Sequence, residues 1–196
     1  MLTMPRTRPS LRTLRRLMGK GIKGTALVLA MTTPSGLRTL GSLVGKGLKG
    51  ATLVLAIATP FVAYWEGLKH RPYKDIVGVW TVCYGHTGAD VVIGKTYTEA
   101  ECDALLQADL REANGYVRRC ISVPMLPHIE ASLVSATFNL GPKVVCGSTL
   151  QRKALANDWP GACAELDRWK HAGGREVRGL VLRRADERAL CEGRAS

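Results

Sequence analysis

Three polar residues near the middle of the chain have the types and the spacing that could break a sugar linkage. Glu66 and Asp75 are nine residues apart, and Thr81 follows six residues later. Hydrolysis of a glycosidic bond needs one carboxyl group that is protonated and a second that is ionised, placed on opposite sides of the bond. Two acids at this spacing are more often solvated surface charges, so the spacing alone supplies only a hypothesis.

The local sequence places the two acids on different elements. Gly67 is a typical helix stop, so Glu66 is expected at the end of a short helix. Residues 76–84 alternate in polarity and are rich in β-forming side chains, which predicts a hairpin. Thr98 and Glu101 form a capping box that opens a long helix. Further helical patterns follow at 128–140, 148–157, 160–171 and 180–192. The body is therefore predicted to be α+β, a small hairpin region followed by helices.

The positive charge of the chain is concentrated at its N-terminus. The 196 residues carry a formal net charge of +12, and residues 1–50 hold ten basic residues and no acid. The rest of the chain, with 18 basic and 16 acidic residues, is nearly neutral. The high pI therefore describes a leader and does not indicate a nucleic-acid-binding domain.

The leader contains a tandem duplication. Residues 11–34 recur at an offset of 26 as residues 37–60, with 16 of 24 positions identical. Each copy has a basic stretch with glycines, then a short apolar run, then Pro. Two copies are too few for a solenoid. Internal methionines, including Met31, leave the true start open.

The second copy continues into 16 uncharged residues, from Gly50 to Trp65. This run resembles the apolar part of an export signal, yet it is shorter than the ~20 residues that span a bilayer comfortably. Ala56-Ile57-Ala58 fits a signal-peptide cleavage site, so a cleaved signal and an uncleaved weak anchor are both open. A buried amphipathic helix is the third interpretation, disfavoured by the absence of any acid before Glu66. Positive charge upstream predicts a cytoplasmic N-terminus and an exported body.

All six cysteines lie after residue 82: Cys83, Cys102, Cys120, Cys146, Cys163 and Cys191. An even number confined to one region favours a disulfide framework outside the reducing cytosol. Six buried free thiols are the alternative. Zinc binding is disfavoured because no CxxC or HxxxH spacing occurs. We expect no metal and no organic cofactor.

The pattern E-x8-D-x5-T followed by G-H-T-G resembles the phage-type lysozyme (endolysin) glycoside hydrolases. The segments YKDIVGVWTVCYGHTG, GKTYTEAEC and GLVLRRADERALC are similar to those of lambdoid-phage endolysins, and the resemblance covers about residues 64–195. It implies a lysozyme-like fold with a small β-hairpin subdomain and a mainly helical lobe. The apolar leader resembles that of the signal-arrest-release type, whose export segment stays in the membrane and later escapes. The duplication departs from that type.

The resemblance also implies roles for single residues. Glu66 matches the general acid, Asp75 the second carboxylate and Thr81 the hydroxyl that helps hold the attacking water, for hydrolysis with inversion. Arg183 matches an arginine that contacts the general acid, although a surface helix charge is the alternative. His86 matches a histidine that pairs with an acid on the next long helix, here Asp109. Phe138 and Thr149 match positions that line the sugar cleft, with plain core as the alternative for Phe138.

Alignment with the family's helices implies three disulfides: Cys83–Cys102, Cys120–Cys146 and Cys163–Cys191.

Three regions are expected: a basic leader with the repeat (1–49), a weak apolar signal-arrest-release or signal segment (50–65), and a lysozyme-like catalytic domain (66–196). Because Glu66 directly follows the apolar run, membrane residence of that run is expected to keep the cleft incomplete.

The expected function is a bacteriolytic endolysin that cleaves the β-1,4 bond between N-acetylmuramic acid and N-acetylglucosamine. Its expected partners are peptidoglycan, the bacterial inner membrane and the secretion machinery, with no nucleic acid, and it is expected to be a monomer. We expect the inner membrane and then the periplasm as its location. Two rivals stay open: a transglycosylase acting on the same bond, and a cationic protein that permeabilises membranes.

Overall fold

The computed structural model describes residues 50–75 and 78–194, so the leader expected over residues 1–49 lies outside the described part of the chain. The α-helices are α1 (Gly50–Glu66), α2 (Glu99–Cys120), α3 (Pro127–Leu140), α4 (Thr149–Leu155), α5 (Trp159–Ala164) and α6 (Arg178–Cys191). Two 3-10 helices lie at Pro142–Val144 and Glu165–Arg168. The strands are β1 (Lys69–Lys74), β2 (Trp80–Cys83), β3 (His86–Thr87), β4 (His171–Ala172) and β5 (Arg175–Glu176).

The uncharged segment forms helix α1, and one face of this helix belongs to the main core. Val54, Ala58 and Val62 recur every four residues and are at most 1% exposed, which places them on one side of the helix. Glu66 ends the helix, and Gly67 follows with φ of 71°, the left-handed conformation that glycine adopts freely. The predicted helix end is confirmed, but the helix has 17 residues and is not short.

Among the described residues, no helix combines the length and the hydropathy that crossing a membrane requires.

The small sheet has the antiparallel order β1-β2-β3. The hairpin expected over residues 76–84 is displaced, because its first strand is β1, which precedes residue 76. The sequence signal missed β1 because KHRPYK shows no apolar alternation and contains Pro72. A strand at the edge of a sheet tolerates both features. Within this hairpin Tyr73 lies opposite Thr81.

The long helices follow the sequence prediction closely. The capping box is present: the Thr98 hydroxyl accepts from the Glu101 N–H, and the Glu101 carboxylate accepts from the Thr98 N–H. The helix expected over 160–171 is wrong at its C-terminal end. There α5 gives way to a 3-10 helix and then to strands β4 and β5. Gly173 and Gly174, both with positive φ, form the turn between β4 and β5.

The body has a large core and a small one. The large core joins α1, α2 and α3 with the C-terminal elements, and the small core lies under the sheet, where Val82 and Tyr97 pack around the Cys83–Cys102 disulfide. The structure also contains the Cys120–Cys146 and Cys163–Cys191 disulfides. All three pairs are those that the resemblance implies, and no described cysteine is a free thiol.

Candidate active site

Glu66 ends α1 and lies beside the turn between β2 and β3. Its side chain is 10% exposed, and Nη1 of Arg183 donates a hydrogen bond of 2.5 Å to Oε1. On the other side runs the turn between β2 and β3, where a Cβ atom on Gly85 would lie 3.6 Å from Oε2 of Glu66. The carboxyl group is therefore held between a buried cation and a backbone turn, with only a small opening to solvent.

Asp75 lies at the turn that closes the first hairpin. Its Oδ1 accepts a hydrogen bond of 2.9 Å from the Val79 N–H, and its own N–H donates to the Val79 carbonyl at 2.9 Å. The Gly78 N–H donates to the Asp75 carbonyl at 3.1 Å. These bonds fix the carboxylate relative to β2 although the turn is near the surface.

Tyr73 links the two acids. Burial raises the pKa of its phenol, and the negative charges of Glu66 and then Asp75 raise it further. Both carboxylates are therefore near enough to the Tyr73 hydroxyl group to affect its pKa. The Lys69 ammonium lies 3.7 Å from the centre of the Tyr73 ring. Sequence reasoning missed Tyr73, because β1, the strand that carries it, has no polarity pattern from which it could be predicted.

Thr81 completes the group of predicted catalytic residues. It is 4% exposed and lies opposite Tyr73 in the sheet, so the two side chains share a face. Its Oγ1 donates a hydrogen bond of 3.2 Å to the Val79 carbonyl. A hydroxyl that donates to the backbone keeps its lone pairs available to accept a hydrogen bond from water. The structure thus brings Glu66, Asp75 and Thr81 around Tyr73.

Arg183 is not a surface charge, so that alternative is wrong. It is 1% exposed and belongs to a buried network that sequence reasoning missed. Its Nε donates to Oε1 of Glu187 at 3.1 Å, and Nη2 of Arg184 donates to the same oxygen at 2.9 Å. Ser135 on α3 donates to that oxygen at 2.8 Å. The Arg-Arg-x-x-Glu spacing on a predicted helix was the available signal, since residues three and four apart face each other.

His86 forms the ion pair that the resemblance implies. Nδ1 is 2.9 Å from Asp109 on α2, and Nε2 is 3.1 Å from Asp90, a partner that sequence reasoning missed. Burial alone lowers the pKa of His86, but the hydrogen bonds to Asp109 and Asp90 outweigh it, and the pKa is raised above its ordinary value. This pair joins the sheet to the helical lobe and does not touch Glu66.

The two residues expected to line the sugar cleft are placed less specifically. Phe138 is half-buried against the main core, and Thr149 opens α4 and accepts a hydrogen bond of 2.8 Å from Arg152. The contacts found among the described residues join neither side chain to the two carboxylates. Their role at the sugar stays a prediction.

Comparison with known proteins gives a consistent result. The family profile for Phage lysozyme matches residues 63–187. The SAR-endolysin of Enterobacteria phage P21 is 48% identical over 126 residues, covering 64% of this chain and 76% of that protein. The SAR-endolysin of Escherichia phage Mu is 40% identical over 125 residues, covering 64% and 72%. Among solved structures, the muramidase domain of SpmX from Asticcacaulis excentricus is similar with a TM-score of 0.63 and 27% identity, covering 68% of this chain and 93% of that one. The chain belongs to the phage lysozyme family and is a lysozyme-type glycosidase.

Proposed function

We propose that this phage endolysin hydrolyses the β-1,4 bond between N-acetylmuramic acid and N-acetylglucosamine in peptidoglycan and so lyses the host cell. The observation that carries the proposal is the position of the Glu66 carboxyl group, which is 10% exposed and held by Arg183, on a different element from Asp75. A glycosidase of this kind needs two carboxyl groups that face one bond from different elements. Here one acid ends α1 and the other follows β1.

The two acids have different surroundings, which supports different roles. Glu66 is largely enclosed, and as general acid it gives its proton to the glycosidic oxygen as the bond to the anomeric carbon breaks. Asp75, at the surface turn, takes a proton from water while the water oxygen bonds to the anomeric carbon from the opposite face. Thr81 accepts a hydrogen bond from that water. Attack from the opposite face inverts the configuration at the anomeric carbon.

The position of Glu66 also supports control by the membrane. The 16 residues before it carry no charge, and helix α1 at 1.5 Å per residue is about 26 Å long, shorter than the ~30 Å hydrocarbon core, which fits a weak anchor. Val54, Ala58 and Val62 cannot contact lipid and the enzyme core at the same time. A chain held in the inner membrane by this segment lacks α1 in its lobe, and Glu66 lacks its contact with Arg183.

The same packing argues against cleavage of the leader at the predicted site. Cutting after Ala58 would remove Leu53, Val54 and Ala58, which are at most 7% exposed. The loss of such a face leaves a cavity in the main core, at about 2–5 kcal/mol for each large side chain removed. We therefore propose that the segment leaves the membrane intact and folds as α1 in the periplasm.

The catalytic proposal is tested with Glu66→Gln, matched by Glu112→Gln at an exposed position of α2. We expect Glu66→Gln to clear cell walls about 10²–10⁴-fold more slowly while melting as a folded protein, and Glu112→Gln to keep full activity. Mass spectrometry of the released muropeptides should show reducing ends. Anhydro sugars would identify a transglycosylase instead, and dye leakage from wall-free liposomes that survives Glu66→Gln would identify a membrane-permeabilising protein.

Membrane control is tested with leucine at three positions of α1 that avoid the core. Ala51 and Thr52 are exposed and Ala56 is half-exposed, and they line an open groove of about 490 Å³ that has room for larger side chains. The triple variant Ala51→Leu/Thr52→Leu/Ala56→Leu should remain in the membrane fraction and delay lysis. A matched triple serine variant should not. If the leucine variant appears in the periplasm on the normal schedule, control by α1 is wrong and the catalytic proposal is untouched.

A further inference from the structure

The buried network behind Glu66 contains a second carboxylate, that of Glu187. Glu187 on α6 has no exposed surface, and the two arginines that bind it are each 1% exposed. An isolated charge is very unfavourable in a buried site, so the charges of Glu187 and its two arginines have to be considered together.

The guanidinium of Arg183 lies between two carboxylates. Its Nη1 donates to Glu66 at 2.5 Å, and its Nε donates to Glu187 at 3.1 Å. Arg184 is near both acids as well: its Nη2 donates to Glu187 at 2.9 Å, and its positive charge interacts with Glu66. The network is therefore two permanent cations facing two carboxylates.

The helical lobe holds Glu187 in place with neutral donors. Ser135 of α3 donates to its carboxylate at 2.8 Å, and Ser132 donates to its backbone carbonyl at 2.6 Å. Asn139, further along α3, accepts from Arg184 at 3.0 Å. Burial raises the pKa of Glu187, and Arg184 and Arg183 oppose that effect. The two guanidinium groups that bind the carboxylate favour its ionised form.

The general acid has a conflicting requirement. Arg183 fixes the position of Glu66, yet a neighbouring cation favours the ionised carboxylate, which cannot donate a proton. Two arginines facing one glutamate would strengthen that effect. The charged and titratable groups that face Glu66 are Arg183 and Arg184 from α6 and Tyr73 from β1. The residues of α3 in this network are uncharged.

We propose that Glu187 is a positioning residue for catalysis that neutralises one of the two arginine charges, so that Arg183 can orient Glu66 without forcing it to stay ionised. The proposal rests on the proposed role of Glu66 as general acid. It predicts that the alkaline limb of the pH–activity profile depends on the net charge behind Glu66. In the parent protein Arg183, Arg184 and Glu187 sum to one positive charge.

Three variants change that net charge in a defined order. Glu187→Gln leaves two positive charges, so the alkaline limb should move to lower pH, by roughly one pH unit. Arg184→Gln leaves none, so the limb should move to higher pH. The double variant Arg184→Gln/Glu187→Gln restores one positive charge and should return the limb close to that of the parent. Because all three residues are buried, the surface that meets the anionic wall is unchanged.

A matched control separates this effect from structural damage. Glu130 on α3 is also 1% exposed and also accepts from an arginine, Arg118, but it contacts neither Arg183 nor Arg184. Glu130→Gln should lower the melting temperature as Glu187→Gln does, without moving the alkaline limb. Each profile is measured as initial clearing of purified sacculi at subsaturating substrate, at constant ionic strength, after circular dichroism has established folding.

The order of the alkaline limbs along the pH axis tests the inference about Glu187. If the limbs of the folded variants coincide with that of the parent, Glu187 is structural and the inference is overturned. If Glu187→Gln does not fold, the other two variants still test the inference. The alkaline limb of the double variant should then lie at lower pH than that of Arg184→Gln. A full loss of activity in Glu66→Gln, together with coincident limbs, would reject the charge inference and leave the proposed function standing.

Discussion

The two ends of the catalytic site are built in opposite ways. Glu66 is tied to the helical lobe through buried Arg183 of α6, which also binds Glu187, and Glu187 accepts a hydrogen bond from Ser135 on α3. Asp75 is bonded to its own hairpin, through Val79 and the Gly78 N–H. In the proposed mechanism, the general acid is therefore part of the tertiary fold, and the acid that takes a proton from water lies at a local turn. We therefore expect changes on the Glu66 side to affect stability and activity together, and changes on the Asp75 side to affect activity alone.

The largest effect is expected from Arg183→Gln. The substitution leaves Glu66 and Glu187 without their shared cation in a buried site, and breaking a buried ion pair from one side destabilises by about 3–5 kcal/mol. Denaturant unfolding followed by circular dichroism measures this loss, and wall clearing should fall with it. Arg183→Lys should recover only part of both, since a single ammonium cannot reach two carboxylates in the geometry of a guanidinium. A fully stable Arg183→Gln protein would contradict the comparison.

Asp75→Asn should separate activity from stability. The amide keeps an oxygen that accepts the Val79 N–H, so the turn is preserved and unfolding should change by less than about 1 kcal/mol. The amide cannot take a proton from water, so clearing should fall by about 10²–10⁴-fold. Thermal melting and a turbidity assay on the same sample test both statements. A large fall in melting temperature would show that Asp75 is also part of the tertiary fold.

The sequence singled out candidate site residues more easily than the elements that carry them. The pattern E-x8-D-x5-T pointed to Glu66, Asp75 and Thr81 through its resemblance to a family, and their catalytic roles stay a prediction. Strand β1 was missed, since an exposed edge strand of basic residues and proline has no polarity period to detect. Only the pairing with β2 shows that this stretch is a strand.

The buried network was missed for a related reason. The resemblance predicted the contact between Arg183 and Glu66, but Arg184 and Glu187 look like part of a solvated helix face in a sequence, because charged residues at three- and four-residue spacing usually are. Only the packing of α6 against α3 shows that the face is enclosed. Helix α1 shows the opposite case: its apolar residues suggested lipid, and the same residues fill the core.

Removal of single disulfides is expected to have a smaller effect, and it tests the helical lobe and the sheet separately. Cys163–Cys191 joins α5 to the end of α6 across 28 residues, and Cys83–Cys102 joins the sheet to α2 across 19 residues. Loop-closure entropy gives each about 3 kcal/mol of stability. Replacing the first pair with serine should lower both stability and activity, because α6 carries Arg183. Replacing the second pair should lower stability by a similar amount and also loosen β2, which carries Thr81. Unfolding curves of the two double-serine variants give the comparison.

The smallest effect, and the most specific, is expected from the histidine that joins the two lobes. The pKa of His86 is raised in the folded protein, so the folded state binds the proton more tightly than the unfolded state. The stabilisation is therefore complete below the ordinary pKa of 6.5 and is lost as the pH rises through the raised value. His86→Gln should destabilise the protein by about 1 kcal/mol more at about pH 5.5 than at about pH 9, a modest value because Asp90 is exposed and its interaction is screened by salt. In an Asp109→Asn background this pH dependence should nearly vanish, while Asp90→Asn should reduce it only slightly. A difference that grew toward alkaline pH would mean that neutral His86 is the form that holds the sheet to α2.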